Sequence, residues 1–182
     1  MATSQRRLTP PRAYASYDLR LVPLPVGVAR LMLSGRLRPA QAESRQASER
    51  RWHPQYPMLD SIDAIAMVFA AHREMLGTVK DSPAWWIHQI VVDGVVVGDI
   101  GFHGPPGPEQ AVEIGYSVVP AWRGHGVATR ACALILQQAW QDGADCVVAE
   151  TDDGNVASQA VLLRNSFQRR PDGAFMINRP EP

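Results

Sequence analysis

The sequence predicts an α+β fold: a mixed, mostly antiparallel twisted sheet flanked by helices. Three observations carry this. Residues 85–119 hold three β-prone runs joined by short links, the pattern of an antiparallel meander. A glycine-punctuated turn at Arg123–Thr129 opens a long helical stretch. An apolar strand over 144–149 follows that helix, and this is the one crossover that places strands parallel.

At 182 residues the chain reads as one domain over 1–182, with a flexible arm at 1–16 and a flexible tail at 179–182. Leu19–Val22 reads as a short strand closed by Pro23 and Pro25, and Val26–Leu33 as a short helix. Arg36–Pro57 reads as a long, polar, Arg-rich connection containing Trp52, His53 and Tyr56, a length that is uncommon unless the segment is functional or partly helical. Asp60 or Ser61 is placed to cap the next helix, with Ile62, Ile65, Ala66 and Phe69 as its apolar face and Gly77 as its stop. Asp81-Ser82-Pro83 reads as a turn. The strands Trp85–Val92 and Val95–Phe102 flank Asp93-Gly94, a hairpin signal, and Ala111–Val119 is the third strand. The long helix spans 125–142 with Ala128, Ala131, Cys132, Ile135 and Ala139 on one side, and Gly143 ends it. A helix over Asn155–Arg164 and short strands at Phe167–Gln168 and Ala174–Ile177 complete the order.

Lys+Arg and Asp+Glu are both 18 and cancel, so composition gives no reason to propose nucleic acid or an anionic membrane as a partner. No apolar run reaches the roughly 20 residues of a membrane span, and Met1–Arg12 has no apolar leader core. Cys132 and Cys146 lie in apolar segments, which predicts two buried reduced thiols in a cytoplasmic protein rather than a metal pair.

The turn at Arg123–Thr129 admits three readings: a tight turn and nothing more, a dinucleotide fingerprint, or a cradle for coenzyme A. In all three, Gly124 and Gly126 let the main chain be approached closely because they lack Cβ. The dinucleotide reading meets two obstacles: Thr129 stands where the third glycine belongs, and too few residues follow Glu150 to finish a doubly wound sheet.

The third reading rests on residues in order. Arg123, Gly126 and Ala128 fit the Arg/Gln-x-x-Gly-x-Gly/Ala stretch of the GNAT N-acetyltransferases, and the segment resembles that family. Glu113-Ile114-Gly115-Tyr116 with Val118-Val119-Pro120 resembles its preceding strand. Asn155-x-x-Ser158, ending at Asn165-Ser166-Phe167, resembles its following helix, with Ser166 where glycine is usual. The similarity covers about 85–170 and is greatest to the branch that includes the ribosomal-protein N-terminal alanine acetyltransferases. It implies a sheet splayed between its central strands, with acetyl-coenzyme A as co-substrate and no metal. The acceptor is a small-molecule or protein N-terminal amine, and the protein is a monomer or homodimer.

The same resemblance implies a pyrophosphate held by the N–H groups of Gly124, Gly126, Val127, Ala128 and Thr129, which open a helix, with Arg123 beside them. Val118 and Asn155 hold the pantetheine arm, and a main-chain N–H near Val119 meets the oxyanion. Transfer needs a neutral amine, and lysine and N-terminal amines titrate near ~10.4 and ~7.8. Glu113 is the candidate base, with Glu150 as runner-up and water as the third option. Asp99 and His103 are placed to line the acceptor site. The acid common in the family is a Tyr seven residues after the Asn; Leu162 occupies that position, which leaves Ser158 as the available hydroxyl. Tyr116 reads as packing. A coenzyme A-binding domain of the same fold without efficient transfer is the alternative.

Overall fold

A computed structural model describes residues 17–48, 50–72 and 84–181. The expected arm at 1–16, the stop at Gly77 and the turn at 81–83 lie outside them. The strands are β1 (Leu19–Pro23), β2 (Arg51–Trp52), β3 (Ile87–Val92), β4 (Val95–Phe102), β5 (Ala111–Val118), β6 (Cys146–Ala149), β7 (Gln168–Arg169) and β8 (Phe175–Asn178). The helices are α1 (Val26–Leu33), α2 (Leu37–Ser48), α3 (Leu59–Ala71), α4 (Val127–Gln141) and α5 (Val156–Arg164). The eight strands form one sheet in the order β1-β3-β4-β5-β6-β8-β7, with β2 added beside β4. Two contacts are parallel, β5 with β6 and β2 with β4. The rest are antiparallel.

The meander β3-β4-β5 is buried through all of β3 and β4, which accounts for their near-continuous apolar runs. Trp86 and Trp122 are fully buried at opposite ends of the core. Trp86 donates its indole N–H to Leu24 O at 2.7 Å, so burying it leaves no polar group unpaired.

Three expectations are corrected. The connection 36–57 is not a loop, because α2 and β2 occupy most of it. α2 is built from Ala, Gln, Glu and Arg, all good helix formers, and buries Ala40 and Ser44 one turn apart. It carries no large apolar stripe, so hydrophobic periodicity does not reveal it. Neither Asp60 nor Ser61 caps α3. Met58 is the N-cap and makes no side-chain cap bond, while the Ser61 hydroxyl is turned into the sheet, 3.2 Å from Ser117 Oγ. The buried face of α3 accordingly runs Ser61, Ile65, Val68 and leaves Ala66 exposed. The tail is anchored at Arg179, whose N–H donates to Asp145 O at 2.8 Å and whose guanidinium donates to Trp140 O.

Candidate active site

The sheet opens at β5. Its parallel pairing with β6 covers only Ala111 to Glu113, ending at the Glu113–Val148 rung. Its antiparallel pairing with β4 continues through Val118. From Ile114 onward one edge of β5 therefore has no neighbouring strand. The ladder fixes which groups face that gap. His103 N–H donates to Glu113 O at 2.9 Å and Val119 N–H donates to Val97 O at 2.8 Å, so odd-numbered main-chain groups of β5 point at β4. The even-numbered groups of Tyr116 and Val118 point into the gap. Val119 N–H is thus spent on Val97, and the main-chain N–H that faces the gap beside it is that of Val118.

The gap is the floor of a cleft of about 830 Å³. The glycine turn forms one end of it. Gly124 and Gly126 have φ of +74° and +76°, conformations that cost an L-residue about 1–2 kcal/mol. Gly126 is the N-cap of α4. Among the described residues, no backbone or side-chain acceptor takes the N–H groups of residues 124 to 129, and the first α4 bond there is Arg130 N–H to Gly126 O. Consecutive unspent donors at a helix N-terminus make an anion site. Arg123 lines the same cleft, but its Nε donates to Val118 O at 2.9 Å. It is thus a strut between turn and strand as well as a charge.

One wall is α5. Asn155 caps it, its Oδ1 accepting from Ser158 N–H at 3.1 Å. The cap is therefore Asn155, and the Ser158 hydroxyl is used elsewhere: it lies 2.8 Å from the Tyr116 hydroxyl, which also donates to Ser158 O at 3.1 Å. Both side chains line the cleft. Tyr116, read from sequence as packing, thus forms a hydroxyl pair with the predicted Ser158. Burial pushes its phenol up to about 12, so it stays protonated at neutral pH and able to donate. Leu162 is fully buried core and carries no acid.

The other wall is the α3 side of the sheet, where the odd-numbered side chains of β5 point. Ser117 donates to Asp99 Oδ1 at 2.9 Å, and both it and Asp60 line the cleft. Glu113 lies two rungs back, where β6 still covers the strand edge. It pairs with His103 Nδ1 at 2.9 Å, and the hydrogen bond from His103 holds its carboxyl below the ordinary range. The His103 ring lies across Gly115, where a Cβ would stand 2.5 Å from Nε2, so glycine is required there for close approach. Glu113 and His103 do not border the cleft, whereas Ser117 does. Glu150 is exposed just past the end of β6. Trp52 and Tyr56 pack edge to face at 5.1 Å as buried core beneath α2, and His53 is buried beside them.

Several cleft residues are not among the candidates read from the sequence. Tyr17 donates to His125 O at 2.9 Å, and its ring lies 4.4 Å beneath the Arg130 guanidinium, which binds the end of the N-terminal segment to the turn. Arg164 lines the cleft with Ala157, Ala160 and Val161. Their spacing of three and four residues marks one face of α5, a signal available in the sequence. Among the described residues, no group of three or more His, Cys, Asp or Glu side chains gathers to hold a metal. Among them too, no helix is long and apolar enough to cross a membrane.

Comparison with known proteins bears on the fold and the family. The acetyltransferase (GNAT) domain family matches residues 34–168. No curated protein sequence matches the chain. Mycobacterium smegmatis RimJ, solved in complex with CoA-disulfide, superposes with a TM-score of 0.57 at 21% identity, over 88% of this chain and 81% of its own. The microcin C7 self-immunity acetyltransferase MccE, solved with acetyl-CoA and AMP, gives 0.55 at 15% identity over 89% and 93%. RimL, a ribosomal L7/L12 α-N-protein acetyltransferase, gives 0.54 at 16% over 95% and 99%. These likenesses carry the fold, and the family match, which spans well over half of the chain, carries the membership: the chain belongs to the GNAT acetyltransferase family.

Proposed function

We propose that this protein transfers the acetyl group of acetyl-coenzyme A to a primary amine, by direct attack in a ternary complex. One observation carries the reading. Six consecutive N–H groups without acceptors among the described residues stand at one end of a cleft whose floor is a gap in the sheet. An anionic head and an extended arm fit that shape. Gly124, Gly126, Val127, Ala128 and Thr129 hold the pyrophosphate, and Arg123 and Arg164 add positive charge at the cleft wall. Val118 presents its N–H to the thioester carbonyl, and Val119 fixes that strand end through Val97. Asn155 spends its oxygen on the helix cap and keeps its amide N–H groups for the pantetheine arm. RimJ was solved with a coenzyme A derivative and MccE with acetyl-CoA, which supports the same donor here.

The leaving sulfur takes a proton or a hydrogen bond from the Tyr116–Ser158 pair. The amine approaches from the α3 side. Glu113 stays in this reading as the carboxylate that holds His103 across Gly115, bordering the acceptor side of β5. The acceptor is a small-molecule or protein N-terminal amine; RimL, which acts on a ribosomal protein, supports including the second class. We place the protein in the cytoplasm.

Titration with acetyl-coenzyme A followed by thiol release with a panel of amines tests the proposal. Saturable binding and amine-dependent release are expected. Binding without release from any amine supports a coenzyme A-binding domain instead, and absence of binding refutes both.

A further inference from the structure

The buried polar row beneath the α3 wall is only partly paired: Gln89 Oε1 accepts from Ser44 Oγ of α2 at 3.5 Å, and other polar atoms of the row are left over. Gln89, Asp99 and Ser117 stand opposite one another on β3, β4 and β5. Asp99 and Gln89 are almost wholly buried, as is Tyr56, whose hydroxyl faces both. Among the described residues, Asp99 Oδ2, Gln89 Nε2 and the Tyr56 hydroxyl have no hydrogen-bond partner. A fold gains nothing by burying a carboxylate whose second oxygen is unpaired, since removing such a charge from water is costly. The row has an outlet in Ser117. Its hydroxyl donates to Asp99 Oδ1 at 2.9 Å, is held by Ser61 at 3.2 Å, and belongs to a residue that lines the cleft where β5 has lost β6.

We propose that Asp99, reached from the cleft through the Ser117 hydroxyl, is the group that takes the proton from the acceptor amine. The inference rests on the transferase reading. The step balances as follows. The incoming ammonium gives a proton to Ser117 Oγ while the Ser117 proton passes to Asp99 Oδ1, leaving a neutral carboxylic acid. The freed nitrogen pair attacks the thioester carbonyl carbon, and the C–S bond breaks with its electron pair on sulfur. Sulfur takes the Tyr116 proton, which solvent replaces by way of Ser158, and the nitrogen's second proton and the one on Asp99 leave to solvent, so that one proton is released net.

Glu113 is less suited to this step. His103 stabilises its ionised form, and it does not border the cleft. Asp99 is the reverse case, a carboxyl raised to about 6, chiefly by burial. A base poised near neutrality is suited to accept a proton and release it again. The charged and titratable groups facing Asp99 are Asp60 on α3, which raises it further, and Tyr56; the hydroxyls of Ser61 and Ser117 partly offset burial, Ser117 by donating to Oδ1. Arg50 lies beyond Tyr56 and acts on that phenol.

The test compares wild type, Asp99→Asn, Ser117→Ala, Ser117→Thr and Glu113→Gln. Acetyl-coenzyme A affinity is read by calorimetry, and kcat against pH from 5 to 9 by thiol release. Slow thioester hydrolysis by water needs the same proton removal and is read where no amine in the panel reacts. Asp99→Asn and Ser117→Ala are expected to bind the donor within about twofold of wild type and to lose on the order of 10²-fold or more in kcat. The acidic limb of the wild-type profile should vanish in Asp99→Asn, persist in Glu113→Gln, and return with rate in Ser117→Thr, which keeps the hydroxyl. Full rate and an intact limb in a folded Asp99→Asn overturn the inference alone, as does loss of the limb in Glu113→Gln. If Asp99→Asn does not fold, Ser117→Ala against Ser117→Thr decides: equal rates refute the relay. A wild type that binds no acetyl-coenzyme A removes the transferase reading and this inference together.

Discussion

Gly126→Ala separates the anion cradle from a mere tight turn. Gly126 has φ +76°, and a Cβ there would meet only the Tyr17 hydroxyl at 3.9 Å, an ordinary contact. The cost is thus conformational rather than steric, about 1–2 kcal/mol for an alanine kept left-handed. For a chain of this size that lowers Tm by roughly 2–8 °C. If the strain is relieved by rotating the turn, the N–H groups of Gly126 to Ala128 swing away from their common focus. Loss of one charge-assisted hydrogen bond, about 1.5–3 kcal/mol, weakens acetyl-coenzyme A binding by roughly 10- to 150-fold. Gly143→Ala is the matched control. It lies just past the other end of α4, with φ +97° and nothing within 4 Å of a Cβ. Both variants should lose Tm, measured without ligand by differential scanning calorimetry. Only Gly126→Ala should lose affinity, measured by isothermal titration. Equal affinity in the two would refute the cradle and leave the turn a structural device.

Three further outcomes follow from the same geometry. Tyr116→Phe should slow thiol release about 10²- to 10⁴-fold with donor affinity unchanged, and cost about 1 kcal/mol of stability by leaving Ser158 Oγ unpaired. Glu113 has a carboxyl held below its ordinary 4.5 by the hydrogen bond from His103, so its contribution is present above that pH and fades as pH falls through the lower folded value. The Tm gap between wild type and Glu113→Gln should therefore be largest above pH ~5 and close under acid. Asp99 has the opposite sign. Its pKa is raised from 3.8 to about 6, so wild type loses stability as pH rises between those values, and Asp99→Asn should gain on it by up to about 3 kcal/mol at pH 8 in urea unfolding.

The elements that frame the glycine turn are legible in the sequence because they are local. Glu113 through Phe167 supply the strand, the turn, α4 and α5 in unbroken order, and each element announces itself. Proline ends β5, left-handed glycines open α4, and Asn155 caps α5. The acceptor side was not legible because its parts meet only through sheet register. Ser117 reaches Asp99 across the β4–β5 ladder, Gln89 joins from β3, Tyr56 comes from the aperiodic segment before α3, and Ser61 comes from α3, where it reads as a cap rather than as a buried hydroxyl. α2 was invisible for a related reason. Its buried side chains are an alanine and a serine, so it packs closely without the large apolar residues that hydrophobic periodicity detects. Glu113 was singled out by its place in a motif, and its partner His103, supplied by the far end of the hairpin, could not be read from spacing.

Along β5 a single alternation sorts the chemistry. Successive side chains of a strand face opposite ways, so Tyr116 meets Ser158 on α5 while Ser117, one residue on, meets Ser61 on α3 and Asp99 on β4. The main chain alternates as well: the N–H of Val118 turns into the gap and that of Val119 is committed to Val97. In the proposed reaction, proton delivery to the sulfur, proton removal from the amine and the main-chain donor for the oxyanion would thus fall on three sides of three consecutive residues. A slip of one residue would exchange all three at once. The register is held by features away from the reacting groups. Arg123 Nε locks onto Val118 O, and Gly115 leaves room for the His103 ring that Glu113 holds. On the proposed reading, a half-exposed ion pair at the last rung before the gap can therefore matter to transfer without touching the substrate. Displacing His103 or Arg123 disturbs where Val118 and Ser117 point, and a misplacement of about 1 Å in a reacting group is enough to cost on the order of 10² in rate.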